Sequence, residues 1–341
     1  MQNKNILIEF YRFFFALVIA LHHFRAYDSS MPYGGGYLAV DFFLIVSGFF
    51  LTESLIKKDI YQKNSLHDTA LFAAKRYLRL WKEYIVVFAV SLLAENLILG
   101  VSFNGELPRY FSEALMLGFY SNASADCVIP AGWYCGYLMC GTIIILVLYA
   151  LLKKKFLYIS GALSLILYVF LLGFNASLCI YPKDACILSM WTLLRILAGL
   201  LVGCFIYGLS NSKLGNINSA ILGPIIVVCF FILAYSLLWE MGFNRLDFVK
   251  VPVFAVMFLL SVMMGNKIRP VEGIRKVTCY AGDVSYTMFL SHFLIVRAFC
   301  IKGTTLHALD WKQISFAYLI IVIIVATVLH FAINRLFKLS N

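Results

Sequence analysis

This sequence predicts an all-α, polytopic membrane protein, on three observations. Of its 341 residues, 62% are hydrophobic, 16% aromatic and 13% charged, far outside the usage of soluble domains. Apolar runs of about 17 to 25 residues recur between short polar breaks, long enough to cross a hydrocarbon layer about 30 Å thick. The cations gather in alternate breaks. The runs predict about ten spans, near residues 6 to 25, 38 to 56, 83 to 100, 132 to 152, 156 to 174, 191 to 209, 218 to 240, 249 to 265, 279 to 300 and 315 to 335.

A net charge of +11 would point a soluble chain toward nucleic acid, but the placement of the cations favours a membrane account and no nucleic-acid partner. Lys57, Lys58, Lys63, Lys75, Arg76, Arg79 and Lys82 follow the second run. Lys153 to Lys155 follow the fourth, Lys267, Arg269, Arg275 and Lys276 the eighth, and Arg335 and Lys338 the last. The intervening breaks hold fewer. The positive-inside rule then puts both termini in the cytoplasm. Glu9 and Arg12 interrupt the first run and no small-residue cleavage site precedes Arg25, so this run is read as a retained helix rather than a leader.

The first helix is the centre of the chain's chemistry. Glu9 to His23 reads EFYRFFFALVIALHH, with an acid and a base near one end and two imidazoles at the other. Ionisable groups cost about 2.5 to 3.5 kcal/mol each in mid-membrane, so their presence marks a site. Arg12 and His23 stand eleven residues apart, which returns them to within roughly 20° of one face and sets them about 16 Å apart along the axis. His22 lies roughly 80° off that stripe. Two such groups cannot touch, but they can hold opposite ends of one long substrate. Glu9, one turn before Arg12, can pair with it.

An Arg-x10-His helix with an acid three residues before the Arg resembles the membrane-bound acyltransferase 3 family. The stretch from Gly36 to Phe49, GYLAVDFFLIVSGF, is similar to that family's Gly-x-x-x-Val-Asp-x-Phe-Phe-x-x-Ser-Gly-Phe block and contributes Asp41, Ser47 and Gly48. The resemblance implies a bacterial inner-membrane O-acyltransferase, with acyl-CoA as donor and no permanently bound cofactor or metal. Some longer relatives append a hydrolase-like domain outside the membrane. This chain is read as one integral-membrane domain over residues 1–341 without such an addition.

Taken in order, the second helix should return beside the first through Gly34 to Gly36. Asp41 would enter near the depth of His23 and hold one of its ring nitrogens, the arrangement of a general base with an orienting acid. A carboxylate at a helix start is also common for its dipole alone. Ser47 with Gly48 reads first as a close-packing pair, with an acyl-serine ranked below direct transfer. Lys75 to Tyr84, KRYLRLWKEY, resembles the family's Arg-Arg-x-x-Arg-x-x-Pro-x-Tyr, with Lys82 where the pattern has Pro. Arg76 and Arg79, three apart, suit a diphosphate clamp, and equally suit plain topology signalling.

Residues 107 to 120 are semi-apolar and too short to span, so they should lie flat or re-enter. Trp133 and Tyr134 then open the next span as an aromatic belt or a sugar-stacking platform. Arg195, a turn below Trp191, should face the bundle interior and meet an acid or the acceptor. Gly282 to Phe293, GDVSYTMFLSHF, resembles the family's late Ser-Tyr-x-x-Tyr-Leu-x-His segment and offers Ser285, Tyr286 and His292 as acceptor contacts. For His292, a packed hydrogen-bonding role is the plainer alternative. Cys179 and Cys186 are the nearest outward cysteine pair, with a bridge and free thiols both open.

The expected activity is transfer of an acyl group, acetyl first, from cytoplasmic acyl-CoA to a hydroxyl of a surface or lipid-linked saccharide. His23 is the expected base, with Asp41 and Arg12 beside it, and Arg76 and Arg79 join Arg12 on the CoA phosphates. Two alternatives stand: an exporter of polysaccharide or small molecules with the same architecture, and an acyltransferase acting on a cytoplasmic small molecule.

Overall fold

The structure, a computed structural model, describes residues 4–58, 66–97, 100, 107–117, 127–174, 177–178, 185–212, 219–240, 246–265, 267–302 and 310–338. They form eleven α-helices and no strand. In order these are α1 (Ile6–Phe24), α2 (Ala39–Lys57), α3 (Leu66–Leu97), the short α4 (Leu107–Ala114), α5 (Trp133–Leu152), α6 (Phe156–Phe174), α7 (Ala185–Ser210), α8 (Ser219–Trp239), α9 (Asp247–Met264), α10 (Glu272–Lys302) and α11 (Trp311–Lys338). Nine of the described helices are long and apolar enough to cross a membrane. The remaining long helix, α3, carries Lys82, Glu83 and Glu95 along its apolar half.

Most helices match the apolar runs, but α3 differs: the expected span from 83 to 100 is the second half of a 32-residue helix reaching back through the basic segment. The reason is local. Lys82 occupies the place where the family pattern has Pro, so the backbone donor is present and no ring clashes with the preceding turn. Residues 66 to 82 are otherwise rich in Ala, Leu, Lys and Arg, all good helix formers.

Asn5 caps α1 by accepting from the Leu7 amide at 3.1 Å, and its amide nitrogen donates to the Ser261 carbonyl at 2.8 Å, tying the start of α1 to α9. α1 packs along α10, α2 along α7, α6 on α7, α8 on α9 and α10 on α11. One apolar core fills the space among α2, α5, α7 and α9. A second lies between α1, α10 and α11, where Phe24 stacks on Tyr318 with centroids 4.0 Å apart. α1 borders both, so its polar face is held between two packed bodies.

Close helix approach depends on glycine at one crossing above all. A Cβ on Gly48 of α2 would overlap the Leu200 carbonyl of α7, and one on Gly203 would overlap the Ile45 carbonyl in return. In a membrane, where apolar side chains gain little from each other over lipid, such backbone contact is a main source of helix association.

Candidate active site

Along α1 the expected pair is formed. Arg12 donates to the Glu9 carboxylate at 2.8 Å, and Glu9 is buried against α10, where a Cβ on Gly282 would overlap it. Arg12 remains partly exposed, its side chain at 25%. Arg79 of α3 lies within electrostatic range of both Arg12 and Arg76, so three guanidinium groups gather at the Glu9 end of the bundle. Glu83 and the Arg12–Glu9 pair are the nearby compensation.

At the other end of the stripe, the partly exposed His23 ring stacks on His292 of α10, with centroids 5.0 Å apart and Nδ1 of His23 3.0 Å from Nε2 of His292. Phe293 covers both rings at 4.5 and 4.7 Å. His292 is fully buried, and its Nδ1 lies 3.3 Å from the Met288 carbonyl. His22 points elsewhere: its Nδ1 donates to the Tyr33 carbonyl at 3.0 Å, and its ring packs on Tyr37.

The expected Asp41–His23 pair is not formed. Asp41 is fully buried and accepts from Arg195 of α7, with Nη2 at 2.5 Å from Oδ2 and Nε at 3.4 Å from Oδ1, while the Tyr168 hydroxyl donates at 3.3 Å. The cause is where α2 begins. The 3-10 turn Gly34–Leu38 is buried against α1, with Gly36 packed on Val18 and His22. Phe42 then meets Phe15, ring centroids 4.7 Å apart. Asp41 therefore enters roughly 10 Å along the axis from His23, toward the Glu9 end.

Ser47 hydrogen-bonds Tyr134, and its carbonyl accepts from Arg76 Nη2 at 3.4 Å. Arg76 Nε is buried with no protein partner among the described residues. Arg76 thus reaches back to α2, while Arg79 is exposed on α3. Gly48 is packing surface against Leu200.

Trp133 and Tyr134 open α5 beside a segment that packs on α3. α4 folds back along α3, its terminal carbonyls at Ala114 and Leu115 accepting from Trp81 Nε1 and the Tyr77 hydroxyl, each at 2.9 Å. Trp81 lies about 24 Å along α3 from Leu97 at 1.5 Å per residue. Glu113 then accepts from the amides of Val128 and Ile129 at 3.1 and 2.6 Å, and Gly132 packs on Tyr84. α5 consequently begins deep in the bundle, Tyr134 buried at the level of Ser47 and Trp133 partly exposed beside it.

In α10, the Ser285 hydroxyl donates to the Gly282 carbonyl of its own helix at 2.6 Å, and Ser285 is buried. Tyr286 donates to the Leu80 carbonyl at 3.3 Å and meets the Cys135 thiol at 3.3 Å. Both side chains are engaged by groups of the protein itself. Cys179 and the Cys186 side chain lie outside the described residues.

Several charged residues that no motif singled out complete the interior. Asp247 at the start of α9 accepts from the Tyr37 hydroxyl, from the Leu178 amide at 3.1 Å and, at 3.6 Å, faces Lys250, which also pairs with Glu240. Arg297 of α10 clamps that helix to α3 by binding Glu95, and it also donates to the Cys127 carbonyl. Their only sequence signal was being ionisable within or beside an apolar run.

A search of curated proteins and of solved structures finds no match. The acyltransferase 3 family model, described as an acyltransferase domain, matches residues 5–335. With a helical bundle of membrane-spanning length and the Arg12–His23 helix at its centre, this chain belongs to the acyltransferase 3 family and is a multi-pass membrane acyltransferase.

Proposed function

We propose that this protein moves an acetyl group from cytoplasmic acyl-CoA to a hydroxyl of a surface or lipid-linked saccharide, with His23 as general base. The observation that carries the reading is the stripe on α1: a partly exposed Arg12 and a partly exposed His23 on one face, about 16 Å apart. The phosphates of CoA suit the Arg12, Arg76 and Arg79 end, where a buried Arg76 Nε lacks a protein acceptor among the described residues. The pantetheine arm would then follow the stripe to His23.

There the His23 ring takes the proton of the acceptor hydroxyl as its oxygen attacks the thioester carbonyl carbon. The C–S bond breaks on collapse, and the proton passes from the ring to the departing thiolate. An ester and a free CoA thiol result. Asp41 contributes through Arg195 to the scaffold that holds α2 and α7.

The test is CoA thiol release by the purified protein in detergent with acetyl-CoA and a mixture of saccharides. Wild type is expected to release thiol and to leave acetyl on a sugar hydroxyl. His23→Ala should lower the rate about 10²- to 10⁴-fold, the contribution of a positioned base, and Arg12→Ala should chiefly raise KM for acetyl-CoA. No release together with no acetyl-CoA binding by calorimetry would sink this reading in favour of an exporter.

A further inference from the structure

We infer that His292 sets the tautomer of His23, so that His23 carries its proton on Nδ1 and offers a bare Nε2 to the acceptor hydroxyl. This deepens the reading of His23 as the base and rests on it. His292 touches no reacting atom and is a positioning residue, in the place where the sequence alone pointed to Asp41.

Backbone carbonyls of α10 beside His292 fix the proton positions on both rings. His292 Nδ1 lies 3.3 Å from the Met288 carbonyl oxygen, which can only accept. That contact is a hydrogen bond only if Nδ1 holds the proton, and a neutral imidazole then has a bare Nε2. This bare nitrogen faces His23 Nδ1 at 3.0 Å. Two lone pairs would repel at that distance, so the proton between the rings belongs to His23 Nδ1. The side-chain contact between the rings engages His23 through Nδ1 and leaves Nε2 on the other side of its ring.

The surroundings hold the pair in place. His292 is fully buried, and Phe293 packs on both rings, which limits their rotation. His22, whose ring lies 5.2 Å from that of His23, is engaged with the Tyr33 carbonyl and does not compete for the shared proton. When His23 Nε2 takes the acceptor's proton, the Nδ1–H of the resulting imidazolium keeps its hydrogen bond to His292. A neutral ring there orients the base without the extra basicity that a carboxylate would confer.

The experiment is long-range 15N–1H correlation NMR on protein with 15N-labelled histidine rings in detergent micelles, with the His23 signals assigned by their loss in His23→Gln. In wild type, His23 is expected as the Nδ1–H tautomer. In His292→Phe it should move toward Nε2–H, and in His292→Gln, whose side-chain oxygen still accepts, it should remain Nδ1–H. Wild-type His23 found as Nε2–H, or unchanged in His292→Phe, overturns the inference; should the Phe variant not fold, wild-type Nε2–H, or loss of Nδ1–H in His292→Gln, still overturns it.

Turnover supplies the second readout. His292→Phe should lower kcat at least about tenfold with KM for acetyl-CoA nearly unchanged, within the factor of about 10² to 10⁴ that a positioned base supplies, and His292→Gln should recover much of it. The spectra are read without turnover, so a protein that transfers no acyl group can still show the predicted tautomer. Intact transfer with the wrong tautomer counts against His292 alone.

Discussion

Arg195 shows how a single buried charge organises its neighbours. Its guanidinium serves Asp41, the Leu178 carbonyl at 3.2 Å and the Tyr37 carbonyl at 3.2 Å, and so fastens α2 and the turn before it to α7. Removing it strands a fully buried carboxylate. We expect Arg195→Met to cost about 3 to 5 kcal/mol, and Asp41→Asn with Arg195→Met to recover most of that loss, because an uncompensated charge is what makes breaking a buried pair expensive. Thermal unfolding in detergent, followed by intrinsic fluorescence, measures both. That Arg195 faces inward was legible from its place in an apolar run. Its partner was not, because Asp41 lies 154 residues away and nothing local couples them.

Among the elements, the α2–α7 crossing is the most demanding. Because Gly48 and Gly203 each meet the other helix's backbone, a methyl group at either must push the helices apart. Gly48→Ala is expected to destabilise by about 1 to 3 kcal/mol, as overpacking does. Gly173 near the end of α6 meets nothing, and Gly173→Ala there should be neutral or favourable by up to about 1 kcal/mol from helix propensity. The same unfolding assay separates the two. The Ser47–Gly48 pair was readable as a close-packing signal, whereas the extension of α3 through residues 66 to 82 was masked by its charge, which hides a helix from any search for apolar runs.

For the molecule as a whole, the unequal spread of cations predicts one orientation, with both ends of the chain in the cytoplasm. In a cysteine-free background, a cysteine at Ser29, in the break between α1 and α2, should react with a membrane-impermeant maleimide added to intact cells. One at Lys57, at the end of α2, should react only after lysis. The reverse pattern would invert the topology and with it the side on which acyl-CoA meets Arg12.

The helical membrane class, most of the spans, the Glu9–Arg12 pair and the shared face of Arg12 and His23 are legible in the residues alone. All of these depend on composition or on spacing within one helix, where 3.6 residues per turn fixes the geometry. Which groups meet across helices is a matter of the packed bundle: His23 with His292, Asp41 with Arg195, Arg79 within electrostatic range of Arg12, and α5 begun beside Tyr84 and Ser47. Those meetings follow from where each helix begins against its neighbours and from which small residues let two backbones approach. Neither is written in the periodicity of any single segment.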